Sequence, residues 1–367
     1  MLPLFKTIYK SSFKETFETI FESGMISSGE SVIKIEDYFS KKFSGYALST
    51  NNSSNAFSLF LNSLNLPLGS KICTSPFNCL ASTSPIANTN HIPCWVDIDY
   101  TSGEMCPKDL ELKIKNNNIQ VVIYYHFSCQ TENIYEISKI CKKNSITLIE
   151  DCTVSLGAKI NGKHIGSFGD ASIFSFYPNR QINAVDGGML LVKDKNIYDQ
   201  CISLRKYGIN FSDYYEANGQ INPNSDIKKL GWQMTMSNLS AGLAVDQLNT
   251  YMENVAIHQK NARKYIELLK EIKGIELPAF ENLEACFWTF PILSQQRDKL
   301  MEYLNSYGIM AGRVHQRNDI YSGFGASHQD LENTNRWCKN HLSLPVGWWL
   351  DKKDVIQIAE LIRNFKW

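Results

Sequence analysis

Short β-rich runs alternate with helix-period segments through the first two-thirds of the chain, and that alternation limits the fold more than any other feature. Strand-like runs fall at residues 71–74, 93–97, 121–126, 147–150, 172–176 and 189–192, and amphipathic segments at 55–64, 79–87, 108–115 and 134–143. Neighbouring strands that run the same way need a crossover, usually a helix. This order therefore predicts an α/β fold with a mostly parallel sheet covered by helices on both faces. Asn161-Gly162, between two short runs in AKINGKHIG, predicts a hairpin that interrupts the pattern. Residues 237–272 keep a helical period for many turns and predict one long helix linking two domains. Gly274 and Pro278 then break it. Beyond them, a strand-like run at 286–293 and helical segments at 297–306 and 352–364 predict a small α/β domain. The expected division is 1–236, 237–272 and 273–367.

At 367 residues with 43% hydrophobic content, the chain is long enough for a large and a small domain, each with its own core. Lys plus Arg number 37 and Asp plus Glu 37, with no long run of either sign, so the electrostatic footprint of a nucleic-acid or membrane-surface binder is absent. No stretch approaches the ~18 apolar residues of a membrane span, and MLPLFKTIYKSSFKETF interleaves its apolar residues with charges, so the expected address is the cytoplasm. Ten cysteines, Cys129 among them, are scattered with no CxxC pair and no clustered histidines. They read as reduced thiols, not as a disulfide framework or zinc site, and no metal is expected. The polar stretch 210–229 reads as a long loop.

The chemistry-bearing run is LIEDCTVSLGAK followed by GDASIFSFYPNRQINAVDGGML. One strand ends on Asp151, a second on Ser175, and Arg180 lies on the loop beyond. Open α/β sheets present ligand-binding groups at such strand ends, although a carboxylate there also caps the next turn and a serine also packs within a strand. Asn52-Ser53-Ser54-Asn55 opens a helix whose first N–H groups and dipole suit a phosphate; a simple N-cap explains the residues equally well. His126 and His315 each read either as a hydrogen-bonded structural side chain or as a proton shuttle, since imidazole titrates near neutrality.

This run resembles the pyridoxal-phosphate site of the sugar aminotransferase family often called DegT/StrS. The likeness extends from SGMISSG near Ser23 to LSLPVGWWLDKKDVIQIAELI near the C-terminus. It implies the fold type I aminotransferase architecture: a large domain with a mostly parallel seven-stranded sheet between helices, and a smaller C-terminal α/β domain. In the family pattern FSFYPxK, the position of Arg180 is the lysine that joins the cofactor and shuttles the proton. A guanidinium, with a pKa above ~12, does neither. By the same resemblance Asp151 pairs with the pyridinium nitrogen, while Ser175, Ser53 and Ser54 stand at phosphate-binding positions. The family has an aromatic at the place of Cys79, Gln or His at Val154, and GYNxR at Gly231 to Thr235. Gln233 then corresponds to the asparagine that reaches the neighbouring subunit's phosphate, and Thr235 lacks the arginine's charge. His126 lies in YYHFSCQ, similar to VHLxGQ, and Arg313 and His315 lie in GRVHQR, similar to a segment lining the sugar-nucleotide cleft.

The resemblance thus implies a homodimer acting on a nucleotide-linked sugar for cell-surface polysaccharide synthesis, and with Arg180 at the lysine position pyridoxal or pyridoxamine phosphate, if bound, is held noncovalently. A 3-dehydratase of the colitose pathway, in which histidine takes the lysine position, is a precedent for altered chemistry. Three readings stay open: an enzyme that does without the lysine, a noncatalytic relative that binds sugar nucleotide or pairs with an active paralogue, and an engineered Lys-to-Arg variant.

Overall fold

The computed structural model describes residues 1–128, 131–325 and 330–367; Cys129, and with it the expectation of a reduced thiol there, lies outside them. Seven strands make one sheet: β1 (Tyr46–Thr50), β2 (Lys71–Thr74), β3 (Ile92–Trp95), β4 (Ile119–Tyr125), β5 (Thr147–Asp151), β8 (Ala171–Ser175) and β9 (Gly188–Val192). The short strands β6 (Lys159–Ile160) and β7 (Lys163–His164) form the hairpin that Asn161-Gly162 predicts, both residues having positive φ. Strand order in the large sheet is β1-β9-β8-β5-β4-β2-β3. β9 runs antiparallel to both its neighbours, and the other pairs are parallel.

Side chains alternate between faces along each strand. On one face Val122, Leu148, Phe174 and Met189 pack against α2 (Glu30–Phe43), α5 (Pro107–Asn116), α6 (Asn133–Lys143) and α8 (Asn238–Val245), with α1 (Ser12–Glu22) outside against α8. On the other face Val121, Ile123, Ile149, Ile173 and Leu190 pack against α3 (Ser53–Ser63), α4 (Leu80–Asn88) and α7 (Lys195–Arg205). A separate core is built by α9 (Tyr251–Leu269), β10 (Phe290–Leu293), α10 (Arg297–Ser306), β11 (His341–Leu344) and α12 (Lys352–Asn364), beside α11 (Glu332–Asn340). No helix among the described residues is long and apolar enough to cross a membrane.

Two expectations are corrected. The helical stretch 237–272 is two helices, α8 and α9, with a turn between them. The Gln247 side chain accepts from Asn183 N at 3.0 Å and donates to Asn183 O at 2.6 Å, while Asp246 holds Ser12 and Lys10. These tertiary bonds draw the backbone into i to i+3 turns that end α8. The strand expected at 286–293 begins only at Phe290, and the edge strand β1 is one that the sequence reading does not propose.

The turn after β7 is tied down by Glu150. Its carboxylate is fully buried and accepts from Gly166 N, Phe168 N, Gly169 N and His126 Nε2 at 2.5 to 2.9 Å. Burial alone would push this carboxyl up; the His126 hydrogen bond and charge and the Gly169 and Gly166 N–H groups hold it below its usual range. Gly166 is obligatory there, with φ +96° and a Cβ that would meet Phe174 at 2.6 Å. Glu150→Gln leaves buried N–H donors facing an NH₂ group and is expected to cost about 3–5 kcal/mol, read as a fall in the urea midpoint. A lowered folded pKa also stabilises only above the unfolded value, about 4.3. Stability from Glu150 should therefore be complete at neutral pH and vanish as pH falls through the lower, folded value, a dependence that Glu150→Gln abolishes.

Candidate functional site

Register and side-chain parity gather one set of residues at the C-terminal edge of the sheet. Tyr125 lies opposite Asp151 across β4 and β5, and Ile173 opposite Asp151 across β5 and β8. Tyr125, Asp151 and Ser175 all share the face of Ile123, Ile149 and Ile173. Ser175 pairs with Gly188, and Gly188 with Thr50, which carries the chain straight into the N-terminus of α3. A Cβ at Gly188 would lie 2.7 Å from both Asn52 O and Thr50 Oγ1, so only glycine lets this loop close against β9. Asn52 caps α3, accepting from Asn55 N at 2.8 Å, and Ser53 and Ser54 occupy the first turn.

Asp151 is fully buried. Its Oδ1 accepts from Thr153 N at 3.1 Å and Thr153 Oγ1 at 2.7 Å; among the described residues Oδ2 takes a long 3.4 Å hydrogen bond from Asn78 Nδ2, and the Ser82 hydroxyl acts on the same carboxylate. Burial pushes its carboxyl up, and the polar groups of Ser82, Thr153 and Asn78 pull it back only in part. One oxygen of a buried carboxylate is thus poorly satisfied, which suits a cationic N–H donor from a ligand.

Arg180 follows the turn Tyr177–Arg180, closed by Arg180 N donating to Tyr177 O at 3.0 Å. Its guanidinium lies 4.7 Å from the Trp288 ring and its Nη1 donates to Asn179 Oδ1. Its Nε is buried and has no partner among the described residues. Trp288 is fixed in turn, donating to Asn179 O at 2.9 Å and stacking on Phe5 at 4.6 Å. Burial lowers the Arg180 pKa, while Tyr125, Cys79, Asp151 and Tyr177 act to raise it. Starting from above ~12, the group keeps its charge at neutral pH. Across the same pocket the Tyr125 hydroxyl lies 2.9 Å from His315 Nε2.

The remaining expected site residues divide. Cys79 is half-buried just before α4, its N–H held by Asn78 Oδ1 at 2.6 Å, within electrostatic reach of Arg180. Val154 is buried in an apolar cluster with Phe77, Tyr125 and Trp288, and its carbonyl accepts from Gln181 Nε2 at 2.7 Å. Gln233 is exposed and donates to Thr235 Oγ1 at 2.9 Å; Arg313 is exposed beside His315. His126 is a correction: parity sends it to the face opposite Asp151, where it is wholly buried against Glu150, so it is no proton shuttle for this site. Sequence reasoning missed Asn78, Tyr125, Gln181 and Trp288. Tyr125 alone left a trace, as a polar aromatic at the very end of a strand.

The assembled group offers an acceptor oxygen, a fixed cation, a helix N-terminus with hydroxyls, and an imidazole–phenol pair. Such a set can bind a ring cation and a phosphate together. The profile of the DegT/DnrJ/EryC1/StrS aminotransferase family matches residues 8–363. A GDP-perosamine synthase of Escherichia coli O157:H7 is 26% identical, with 99% of this chain and 98% of that protein covered. The spore coat polysaccharide biosynthesis protein SpsC of Bacillus subtilis is also 26% identical, over 99% and 95% of the two chains. The crystal structure of AtS13 from Actinomadura melliaura superposes with TM-score 0.93 at 25% identity, over 100% of this chain and 99% of that one. With that match running almost end to end over a fold type I architecture, the chain belongs to the DegT/DnrJ/EryC1/StrS aminotransferase family.

Proposed function

We propose that this chain binds a nucleotide-linked sugar, holds pyridoxal or pyridoxamine phosphate without a covalent bond, and serves cell-surface polysaccharide synthesis. The observation that carries the reading is the guanidinium of Arg180, lying over the Trp288 ring within electrostatic reach of Asp151, where the family resemblance expects an amine. The two relatives named for perosamine and for spore coat polysaccharide support the sugar assignment.

The residues present suit the cofactor. Asp151 has an acceptor oxygen to spare, and Arg180 has a buried nitrogen without a partner among the described residues. When bound, the cofactor supplies a protonated pyridine ring that accepts electrons. Asp151 would hold the ring nitrogen, Ser175 with Ser53 and Ser54 the phosphate, and Arg180 adds a planar fork for phosphate oxygens. Neither covalent attachment nor proton shuttling is open to residue 180, so ordinary amine transfer falls by orders of magnitude. In the homodimer that the resemblance implies, Gln233 reaches the neighbouring subunit's phosphate site, and Arg313 and His315 line the sugar-nucleotide cleft.

Calorimetric titration tests the binding. Pyridoxamine phosphate should bind the native protein, and Asp151→Asn should weaken it about 10- to 100-fold, the worth of one charge-assisted hydrogen bond. Binding of GDP- or UDP-linked sugar with no binding of either cofactor form would instead identify a noncatalytic relative. Borohydride treatment with pyridoxal phosphate, followed by peptide mass spectrometry, should leave residue 180 unmodified. Arg180→Lys should still give no glutamate-dependent amine transfer to a nucleotide-linked keto sugar, because Cys79, Val154 and Thr235 also depart from the family pattern. Immediate recovery of turnover would mark the arginine as a single engineered change in an intact enzyme.

A further inference from the structure

We propose that His315 is the proton donor to the bound ligand, acting at Nδ1, and that Tyr125 fixes its tautomer and resupplies its proton beside the Arg180 charge. The proposal rests on the nucleotide-sugar reading above and names the group that handles protons where residue 180 does not.

Tyr125 ends β4 with its ring buried, and its hydroxyl has a single hydrogen-bond partner among the described residues, Nε2 of His315 at 2.9 Å. With no other acceptor in reach among the described residues, the phenol O–H donates to that nitrogen. A neutral imidazole that accepts at Nε2 carries its proton on Nδ1. The neutral form is the resting one, because burial and, secondarily, the Arg180 charge pull His315 down to about 3. Nδ1 has no partner among the described residues, and the side chain is only half-buried, so this N–H is the one left for a ligand. The ring cannot swing away easily: it stacks over Trp288 at 6.0 Å and meets Phe77 and Tyr125 edge-on at 5.5 and 5.6 Å.

The step balances without a further reactant. Nδ1–H gives its proton to an alkoxide or enolate oxygen of the ligand, whose lone pair forms the new O–H bond while the N–H pair stays on the ring. Tyr125 gives its own proton to Nε2, leaving a phenolate that keeps the electron pair and an imidazole still neutral in its other tautomer. Return of a proton along the same path resets the pair. Two charged groups face the phenol: Asp151 opposes its ionisation and Arg180 favours it, behind the larger effect of burial, which keeps it protonated at rest. A guanidinium is the right neighbour for this relay, since it supplies charge and never competes for the proton. Because His315 meets the ligand it is the catalytic residue; Tyr125 is a positioning residue.

The test is nitrogen NMR of the full chain labelled with ¹⁵N-histidine, with the His315 signals assigned by their loss in His315→Gln. Pyridoxamine phosphate and GDP-mannose serve as probes, their binding followed separately by calorimetry. The free wild type should show a single neutral Nδ1–H tautomer. Tyr125→Phe, which removes one oxygen and little volume, should add a second, Nε2–H signal. Bound probes should shift Nδ1 of the wild type. An Nε2–H tautomer in the free protein, an unchanged tautomer in Tyr125→Phe, or an Nδ1 signal unmoved while calorimetry reports saturation would each overturn the proposal. Failure of both probes to bind would overturn the earlier reading of function, and the tautomer of the free protein would still decide the role of Tyr125.

Discussion

Two buried carboxylates sit side by side in β5, and side-chain alternation sends them to opposite faces of the sheet. Glu150 points to the face of α2, α5 and α6, where three backbone N–H groups and His126 saturate it. Asp151 points to the face of α3 and α4, where one of its oxygens is poorly satisfied. The environments then drive their acidities apart, Glu150 downward and Asp151 upward. One acid is saturated by the fold's own donors, and its neighbour is the one that the proposed function assigns to a ligand. This separation depends only on strand period and burial, and the remaining site elements are arranged around its second half.

The ligand side is closed by segments far away in the chain. Phe5 from the N-terminus and Trp288 from the region before β10 stack on each other, and Trp288 supports both Arg180 and His315. An exposed cation over an aromatic ring is worth about 0.5–1 kcal/mol and more when water is excluded, so Trp288 helps hold a charge that burial disfavours. Arg180 is therefore a built part of the pocket, with a ring beneath it and a phenol and a carboxylate nearby. The proposed imidazole–phenol relay depends on the same support.

Local patterns made the parallel strands legible, because strands buried on both faces read as continuous apolar runs. Asp151 and Ser175 were legible for the same reason: each follows such a run at its C-terminal end. The turn between α8 and α9 was hidden because the period of 237–272 continues through it while Gln247 bonds to Asn183, 64 positions earlier. His126 shows the limit most sharply. Its type and strand-end position suited a proton shuttle, yet its facing is set by pairing with Glu150, and one step of parity separates it from Asp151.

By itself the sequence determined the α/β alternation, the carboxylate at the end of β5, and a guanidinium at residue 180, because strand period, strand ends and side-chain pKa are local properties. Only the tertiary structure decided which acid its surroundings saturate and which partner each ring meets. Tyr125 and His315 lie 190 positions apart, and no periodicity records that two such groups come within 2.9 Å of each other once packing at the sheet edge has fixed them.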